Sequence, residues 1–192
     1  MFIGGIFTQM NAVSRQSVAR VSTTTGALDA WAIPAGVIVA PQTAWALLPL
    51  GNRLYAGFGK GPNYAAAFRL DNGTIGTQVW RFNTVPGPGE PGHGTWAGES
   101  WKRGGASVWV TGSYDPDLNT VYWAVGNPGP QIDRSARGDG DNLFSDSVVA
   151  IDPDTGARKW HYQFTPNDGH DWDSAQALVL VDRMWHGQRR RL

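Results

Sequence analysis

The chain has no cysteine among its 192 residues, so neither disulfides nor thiolate-held zinc or iron–sulfur can organise it. It also lacks charge of either sign in excess. Sixteen basic and sixteen acidic side chains cancel, which removes the electrostatic case for nucleic acid or an anionic membrane surface as partner. The one dense basic cluster, Arg189-Arg190-Arg191, falls at the C-terminal end and reads as a solvated tail. No apolar run approaches the roughly 18 residues of a membrane span. Met1–Phe7 has neither a basic stretch nor a long apolar one, so no signal peptide is expected from it. Helical periodicity is missing too: no segment keeps apolar residues at i, i+3, i+4 and i+7 through three turns.

What the chain does have is punctuation and tryptophan: 25 Gly, 12 Pro and ten Trp. Short strands broken by turns, with Trp at intervals, point to a repeated all-β architecture. The clearest strand is Lys159–Phe164. Trp160, Tyr162 and Phe164 alternate with Lys159, His161 and Gln163, the period of a half-buried strand. Ser147–Ile151 and the turn Asp152-Pro153-Asp154-Thr155-Gly156 precede it, so Ala150–Trp160 reads as a hairpin whose closing Trp packs across neighbouring strands. Weaker copies run from Ala67 through Gly76 to Trp80 and from Ala19 through Thr25-Gly26 to Trp31. Gly26, Gly76 and Gly156 follow at intervals of 50 and 80 residues, the longer one leaving room for an insertion over Pro86–Gly105. Periods of about 40–50 residues with four strands apiece suggest propeller blades. The fold class expected is therefore all-β, with β-propeller-type four-stranded blades in a partial ring.

The chemistry gathers in Thr165-Pro166-Asn167-Asp168-Gly169-His170-Asp171-Trp172-Asp173. Asp171 and Asp173 stand two residues apart, with Asp168 on the approach. A carboxylate beside a hard cation can ligate it or accept a proton from a bound alcohol. Taken alone, such acids more often shape a polar turn. In the same way Trp109 alone would more often be core, and Asn127 before Pro128 a turn residue.

Seven separated segments in one order bear on these alternatives. They are Val85–Pro91, Trp101–Trp109, Tyr114-Asp115-Pro116, Gly126-Asn127-Pro128-Gly129-Pro130, Gly140-Asp141-Asn142, the Ala150–Trp160 hairpin and the Thr165–Asp173 loop. Together, from about Trp80 to Gln188, they resemble the pyrroloquinoline quinone (PQQ)-dependent methanol/ethanol dehydrogenase family. The resemblance implies a propeller of Trp-docked blades, with PQQ near its axis beside calcium or, in some members, a lanthanide. Trp109 matches the tryptophan on which the quinone stacks. Ser107 matches a hydroxyl that hydrogen-bonds it, a position often Thr in the family. Asn127 matches a metal-ligating amide. Asp171 matches the base, placed at the metal, that takes the alcohol proton as hydride passes to the quinone. Asp173 resembles the additional carboxylate of lanthanide-using members, and otherwise supports the loop. His170 falls where the family has a bulky neighbour of the base, and a supporting role is expected of it. A small alcohol as substrate, an electron acceptor such as a cytochrome c and a periplasmic location are implied by the same resemblance.

The departures matter as much. The family's metal-ligating Glu has no counterpart in Leu54–Ala65, which contains no carboxylate, and the vicinal cysteines that cover the quinone in many members are absent. Gly4–Val21 resembles instead the repeat of delta-60-type bacterial propellers. The expected division is a β-repeat segment of different propeller type over 1–82 and partial dehydrogenase blades over 83–192. The expected function is a partial PQQ- and metal-dependent alcohol dehydrogenase, incomplete as a catalyst alone. The alternative is a non-catalytic β-repeat module that binds a protein or glycan. Unpaired blade edges give either one a route to self-association.

Overall fold

The computed structural model describes residues 1–39, 42–60, 63–71 and 73–191, so Gly61 and Pro62 of the Leu54–Ala65 segment lie outside the described residues. Four short strands open the chain: β1 (Phe2–Gly4), β2 (Gln9–Met10), β3 (Val13–Ser14) and β4 (Val18–Arg20). Two four-stranded antiparallel sheets follow. The first joins β5 (Thr43–Leu50), β6 (Arg53–Gly59), β7 (Tyr64–Arg69) and β8 (Gln78–Asn83) in chain order. The second joins β9 (Ser113–Asp115), β10 (Thr120–Val125), β11 (Ser147–Ile151) and β12 (Arg158–Gln163) in the same consecutive way. A hairpin of β13 (Asp182–Trp185) and β14 (Gln188–Arg191) comes last. The Gly- and Pro-rich insertion holds only short 3-10 turns at His93–Thr95 and Ser100–Arg103. The propeller-type reading of the strand pattern is what the chain adopts.

The inner strands are apolar throughout because both their faces are covered. In β6 and β7, Leu54, Ala56, Phe58, Tyr64, Ala66 and Phe68 turn towards Val18, Trp31 and Ile38 of the N-terminal segment. Their alternates Tyr55, Ala65 and Ala67 turn towards the second sheet. There they meet Val121, Trp123 and Val125 of β10 and Val149 and Ile151 of β11. Successive side chains of a strand point to opposite faces, so a continuous apolar run is what a sheet sandwiched between two layers requires. The segment leading into the second sheet approaches the first so closely that a Cβ on Gly57 would stand 2.9 Å from Cβ of Val108.

Two hairpins are each covered by a tryptophan. Trp80 closes the first sheet and lies flat on Gly156, in the hairpin of the second. A Cβ there would stand 2.6 Å from Trp80 Cγ, and Gly156 has φ 77°. The Trp80 indole donates to the Pro153 carbonyl at 2.8 Å, and Arg53 donates to the same oxygen at 2.6 Å. One repeat earlier, Trp31 covers Gly76 and its indole donates to the Arg69 carbonyl at 3.1 Å. The alternation expected of Lys159–Phe164 is present, but the exposed side is the aromatic one. Trp160, Tyr162 and Phe164 are exposed, while the polar side is held by the protein. Lys159 donates to the carbonyls of Leu118 and Asn119, and Gln163 to those of Asp141 and Ser145.

The tryptophan cover separates two glycine substitutions at equivalent hairpin positions. Gly156→Ala should cost about 2–4 kcal/mol, from left-handed strain plus overpacking against Trp80. Gly26→Ala, at φ 70° with nothing within 4 Å of the added Cβ, should cost only the strain, about 1–2 kcal/mol. Urea denaturation of both variants checks this, and equal losses would remove the tryptophan cover from the account.

Candidate functional site

The site grows from Gly126, the residue after β10. Its N–H donates to the Ser107 carbonyl at 3.0 Å and its carbonyl accepts from the Asp146 N–H at 3.0 Å, so three loops meet there. A Cβ on Gly126 would stand 2.7 Å from Asp173 Oδ1 and 3.1 Å from Trp109 Nε1. The Trp109 indole and the Asp173 carboxylate thus close on the chain at a glycine, and a Cβ there would push the carboxylate aside. Asn127 follows directly. Its backbone N–H donates to Asp173 Oδ1 at 3.2 Å, and its carbonyl accepts from Ala106 at 2.5 Å. Ser107 and Trp109, Asn127, and Asp173, from three separate segments, are thus brought together.

The Thr165–Asp173 loop is pinned from below by a buried cation. Arg137 is fully buried; it donates from Nε to Asn142 Oδ1 at 3.0 Å and from a terminal nitrogen to the Asp168 carbonyl. Burial pulls its pKa down, and the nearby Asp168 opposes that pull. Asn167 ties the same loop to the Asp141 and Gly138 carbonyls. The Asp168 carboxylate accepts from the N–H groups of His170 at 2.9 Å and Trp172 at 3.0 Å. Asp168 therefore spends its oxygens on shaping the turn. Asp171 and Asp173, at φ 62° and 55°, adopt the left-handed conformation that Asp tolerates better than most residues. The Asp171 side chain is exposed and makes no hydrogen bond or ion pair among the described residues. His170 stacks obliquely on Trp172 at 5.7 Å, on the exposed side of the loop.

Two polar side chains at the centre have oxygens with no protein donor among the described residues: the Ser107 hydroxyl and Asn127 Oδ1. No hydrogen bond joins Asp171 to Trp109, Ser107 or Asn127, and no three His, Asp or Glu side chains are grouped to hold a metal ion among the described residues. Trp109, 43% exposed as a residue, brings the largest apolar side chain to the site. A cavity of about 610 Å³ opens elsewhere, against the outward face of the second sheet.

One participant is invisible in the sequence pattern. Asp146 sits in an ordinary-looking Ser-Asp-Ser before β11, yet it is fully buried beneath the loop. Oδ1 accepts from the Ser174 N–H at 3.4 Å, and Oδ2 has no partner among the described residues. Burial pushes its pKa up to about 7, and the negative charges of Asp168 and Asp173 push the same way. Nothing in the residue's local spacing signals this, because the environment is assembled from Gly126, Ser174 and Arg137.

Comparison with known proteins gives a consistent result. Residues 59–192 match the model of the PQQ glucose/ethanol/alcohol dehydrogenase β-propeller domain. The chain is 37% identical over 142 residues to a lanthanide-dependent methanol dehydrogenase of Methylacidiphilum fumariolicum, covering 72% of this chain and 21% of that protein. It is 47% identical over 91 residues to the quinoprotein alcohol dehydrogenase PedH of Pseudomonas putida, covering 47% of this chain and 15% of that protein. Among solved structures, the quinohemoprotein alcohol dehydrogenase ADHIIG of Pseudomonas putida superposes with a TM-score of 0.78 at 30% identity, over 91% of this chain and 28% of that one. A europium-containing methanol dehydrogenase superposes with a TM-score of 0.77 at 28% identity, over 91% and 33%. The chain spans about a fifth of the length of the curated relatives it matches.

The Asp146 carboxyl makes stability depend on pH with a definite sign. Between the ordinary carboxylate range near ~4 and about 7, the folded chain holds a proton that the unfolded chain has lost. This contribution is fully present below ~4 and is lost as pH rises through 7, at up to about 1.4 kcal/mol per pH unit. Asp146→Asn should remove it. The wild-type urea midpoint should fall from pH 5 to 7.5 relative to the variant, and parallel curves for the two proteins would refute the assignment.

Proposed function

This chain belongs to the PQQ glucose/ethanol/alcohol dehydrogenase β-propeller family, and we propose that it forms the part of an alcohol dehydrogenase that floors the quinone and presents a base and oxygen ligands beside it. The observation that carries the reading is the convergence of Trp109, Asn127 and Asp173 on Gly126, with no room for a side chain between them.

A planar cofactor fits what is present. Trp109 is exposed and offers its indole, a suitable floor for a flat aromatic system, and Ser107 has a hydroxyl free to hydrogen-bond at its edge. A hard cation fits in part. Asn127 Oδ1, Asp171 and Asp173 supply oxygen donors of the type that calcium or a lanthanide prefers, but the acids are not gathered into a closed ligand set among the described residues. When bound, PQQ and its metal supply the hydride acceptor. The protein's own part is then positional: Trp109 orients the ring plane, and Asp171 takes the hydroxyl proton of a primary alcohol on its unpaired carboxylate. Asp173, adding charge at Asn127, tunes the choice between calcium and a lanthanide. Electrons leave to an acceptor such as a cytochrome c, and the site of action is the periplasm, by the same family resemblance.

The carboxylate missing from Leu54–Ala65 supports incomplete catalysis by the chain alone. It also favours the second reading, a non-catalytic β-repeat module in which these residues bind without turnover. The division into a different repeat type over 1–82 and dehydrogenase blades over 83–192 is a proposal about descent, resting on the pattern of Gly4–Val21; β8 (Gln78–Asn83) crosses that boundary.

Titrating the chain with PQQ in the presence of calcium or lanthanum should quench tryptophan fluorescence without reducing a dye when ethanol is added. Trp109→Ala should weaken binding by about tenfold or more, equivalent to ~1.4 kcal/mol. Asp173→Ala should weaken the lanthanum-dependent binding more than the calcium-dependent one. Absence of quenching with either metal would overturn the cofactor assignment, and dye reduction would overturn the claim of incompleteness.

A further inference from the structure

A second concavity lies away from the candidate site at Gly126, between the outer strands of the two sheets. It encloses about 270 Å³ and is walled by β8, by the start of β12 and by residues of the Pro86–Pro91 segment. Two guanidiniums, Arg81 and Arg158, line it. Arg20, Arg53, Arg69, Arg189 and Arg191 each pair with an aspartate. Arg81 and Arg158 have no ion-pair partner among the described residues. Both are nevertheless held in place. Arg81 lies 3.8 Å from the centroid of the Tyr64 ring and donates from Nε to Asn83 Oδ1 at 2.8 Å. Arg158 lies 4.9 Å from the centroid of the Phe144 ring and donates to His161 Nδ1 at 2.9 Å. An arginine only donates, so the His161 proton sits on Nε2. Burial and the Arg158 charge both pull the His161 pKa down, so that ring adds no third charge at neutral pH. We propose that this pocket binds a carboxylate with a compact apolar body, the carboxylate bridging Arg81 and Arg158 and the body resting against Phe82, Pro86 and Pro91. This rests on the pocket alone and not on the cofactor reading.

Two like charges that share one concavity repel across it, and an anion between them turns that repulsion into attraction. Guanidiniums stacked on rings suit this role, because the planar fork matches an oxyanion and little freedom is left to lose. The rest of the lining selects among oxyanions. Phe82 and Phe144, 5.5 Å apart at 43°, join Pro86 and Pro91 in an apolar wall that an inorganic anion cannot use. The volume suits one ring or a short branched chain rather than a drug-sized molecule. Glu90 is the one carboxylate in the lining, and both its oxygens are engaged. Oε1 accepts from Asn83 Nδ2 at 2.8 Å and Oε2 from the Gly87 N–H at 2.7 Å. Asn83 thereby joins Glu90 to Arg81 without the two charges pairing. The acid also limits the ligand's charge, since it repels a dianion more than a monoanion. Every group involved belongs to the two sheets or to the loops within and between them.

Calorimetric titration of the 192-residue chain with benzoate, in the absence of PQQ and metal, tests the proposal. Benzoate should saturate a single site at about millimolar concentration, the range of a ligand with so few atoms. Benzyl alcohol, which keeps the ring and lacks the charge, should bind at least about tenfold more weakly, and so should inorganic phosphate. Arg81→Gln and Arg158→Gln should each weaken benzoate by about tenfold or more, the scale of a charge-assisted pair. Arg158→Lys keeps the charge without the fork and should fall between the wild type and Arg158→Gln. Glu90→Gln retains an acceptor for Asn83, removes the repelling charge and should tighten benzoate by about two- to fivefold. Near-ultraviolet circular dichroism verifies that each variant is folded. Four results would overturn the proposal. Benzyl alcohol binding as well as benzoate would mean apolar adhesion only. Phosphate binding as well as benzoate would mean an oxyanion site with no place for the body. Benzoate binding untouched by both glutamine variants would put the anion elsewhere, as at the Arg189-Arg190-Arg191 cluster. A wild type that does not bind benzoate at all would end the assignment.

Discussion

The contact between a tryptophan ring and the α-carbon of a glycine in the next hairpin governs this structure. An indole face can lie flat on backbone only where no Cβ intervenes, and the left-handed conformation at Gly156 turns that backbone outward to meet Trp80. The ring buries a large apolar area while its N–H finds the Pro153 carbonyl, so burial leaves no polar group unsatisfied. Each sheet is thereby fastened to its neighbour at the outer hairpin, and the small residues Ala65, Ala67 and Gly57 let the faces close between the fastenings.

The candidate site depends on that stacking at one remove. With the two sheets held together, Val108 is pressed against Gly57 and the segment through Ser107 and Trp109 is carried to the end of β10. Arg137, buried with no carboxylate in direct contact among the described residues, holds the Thr165–Asp173 loop by donating to the Asp168 carbonyl. Beneath it Asp146 is held in the neutral range by the same burial. A cluster that would be costly if fully ionised is thus tolerated under the loop that presents Asp171 and Asp173.

Much of this was legible in the residues. Alternation in Lys159–Phe164, the Thr-Gly turns and the Trp spacing specify hairpins and blades, because period and turn chemistry are local properties. The candidate site residues Trp109, Ser107, Asn127, Asp171 and Asp173 came from ordered motifs rather than from their own chemistry, which fits turns and cores equally well. Which face of β12 is buried was not legible: the Trp160, Tyr162 and Phe164 side looks like core in any window. Asp146 and Arg137 were missed for a related reason, since a buried charge is recognised by its surroundings.

The amino-acid sequence by itself determined that this is a chain of Trp-closed β-hairpins with propeller periodicity, and it supplied the aromatic, amide and carboxylate side chains of the candidate site. Only the tertiary structure decided that Trp109, Asn127 and Asp173 meet at Gly126, that Asp168 shapes the loop with both oxygens, and that burial raises the pKa of Asp146 beneath it. The physical reason is one of range. Strand period and turn conformation are set within about ten residues, whereas desolvation, shared hydrogen bonds and close backbone approach arise between segments that only the packing of one sheet on the next brings together.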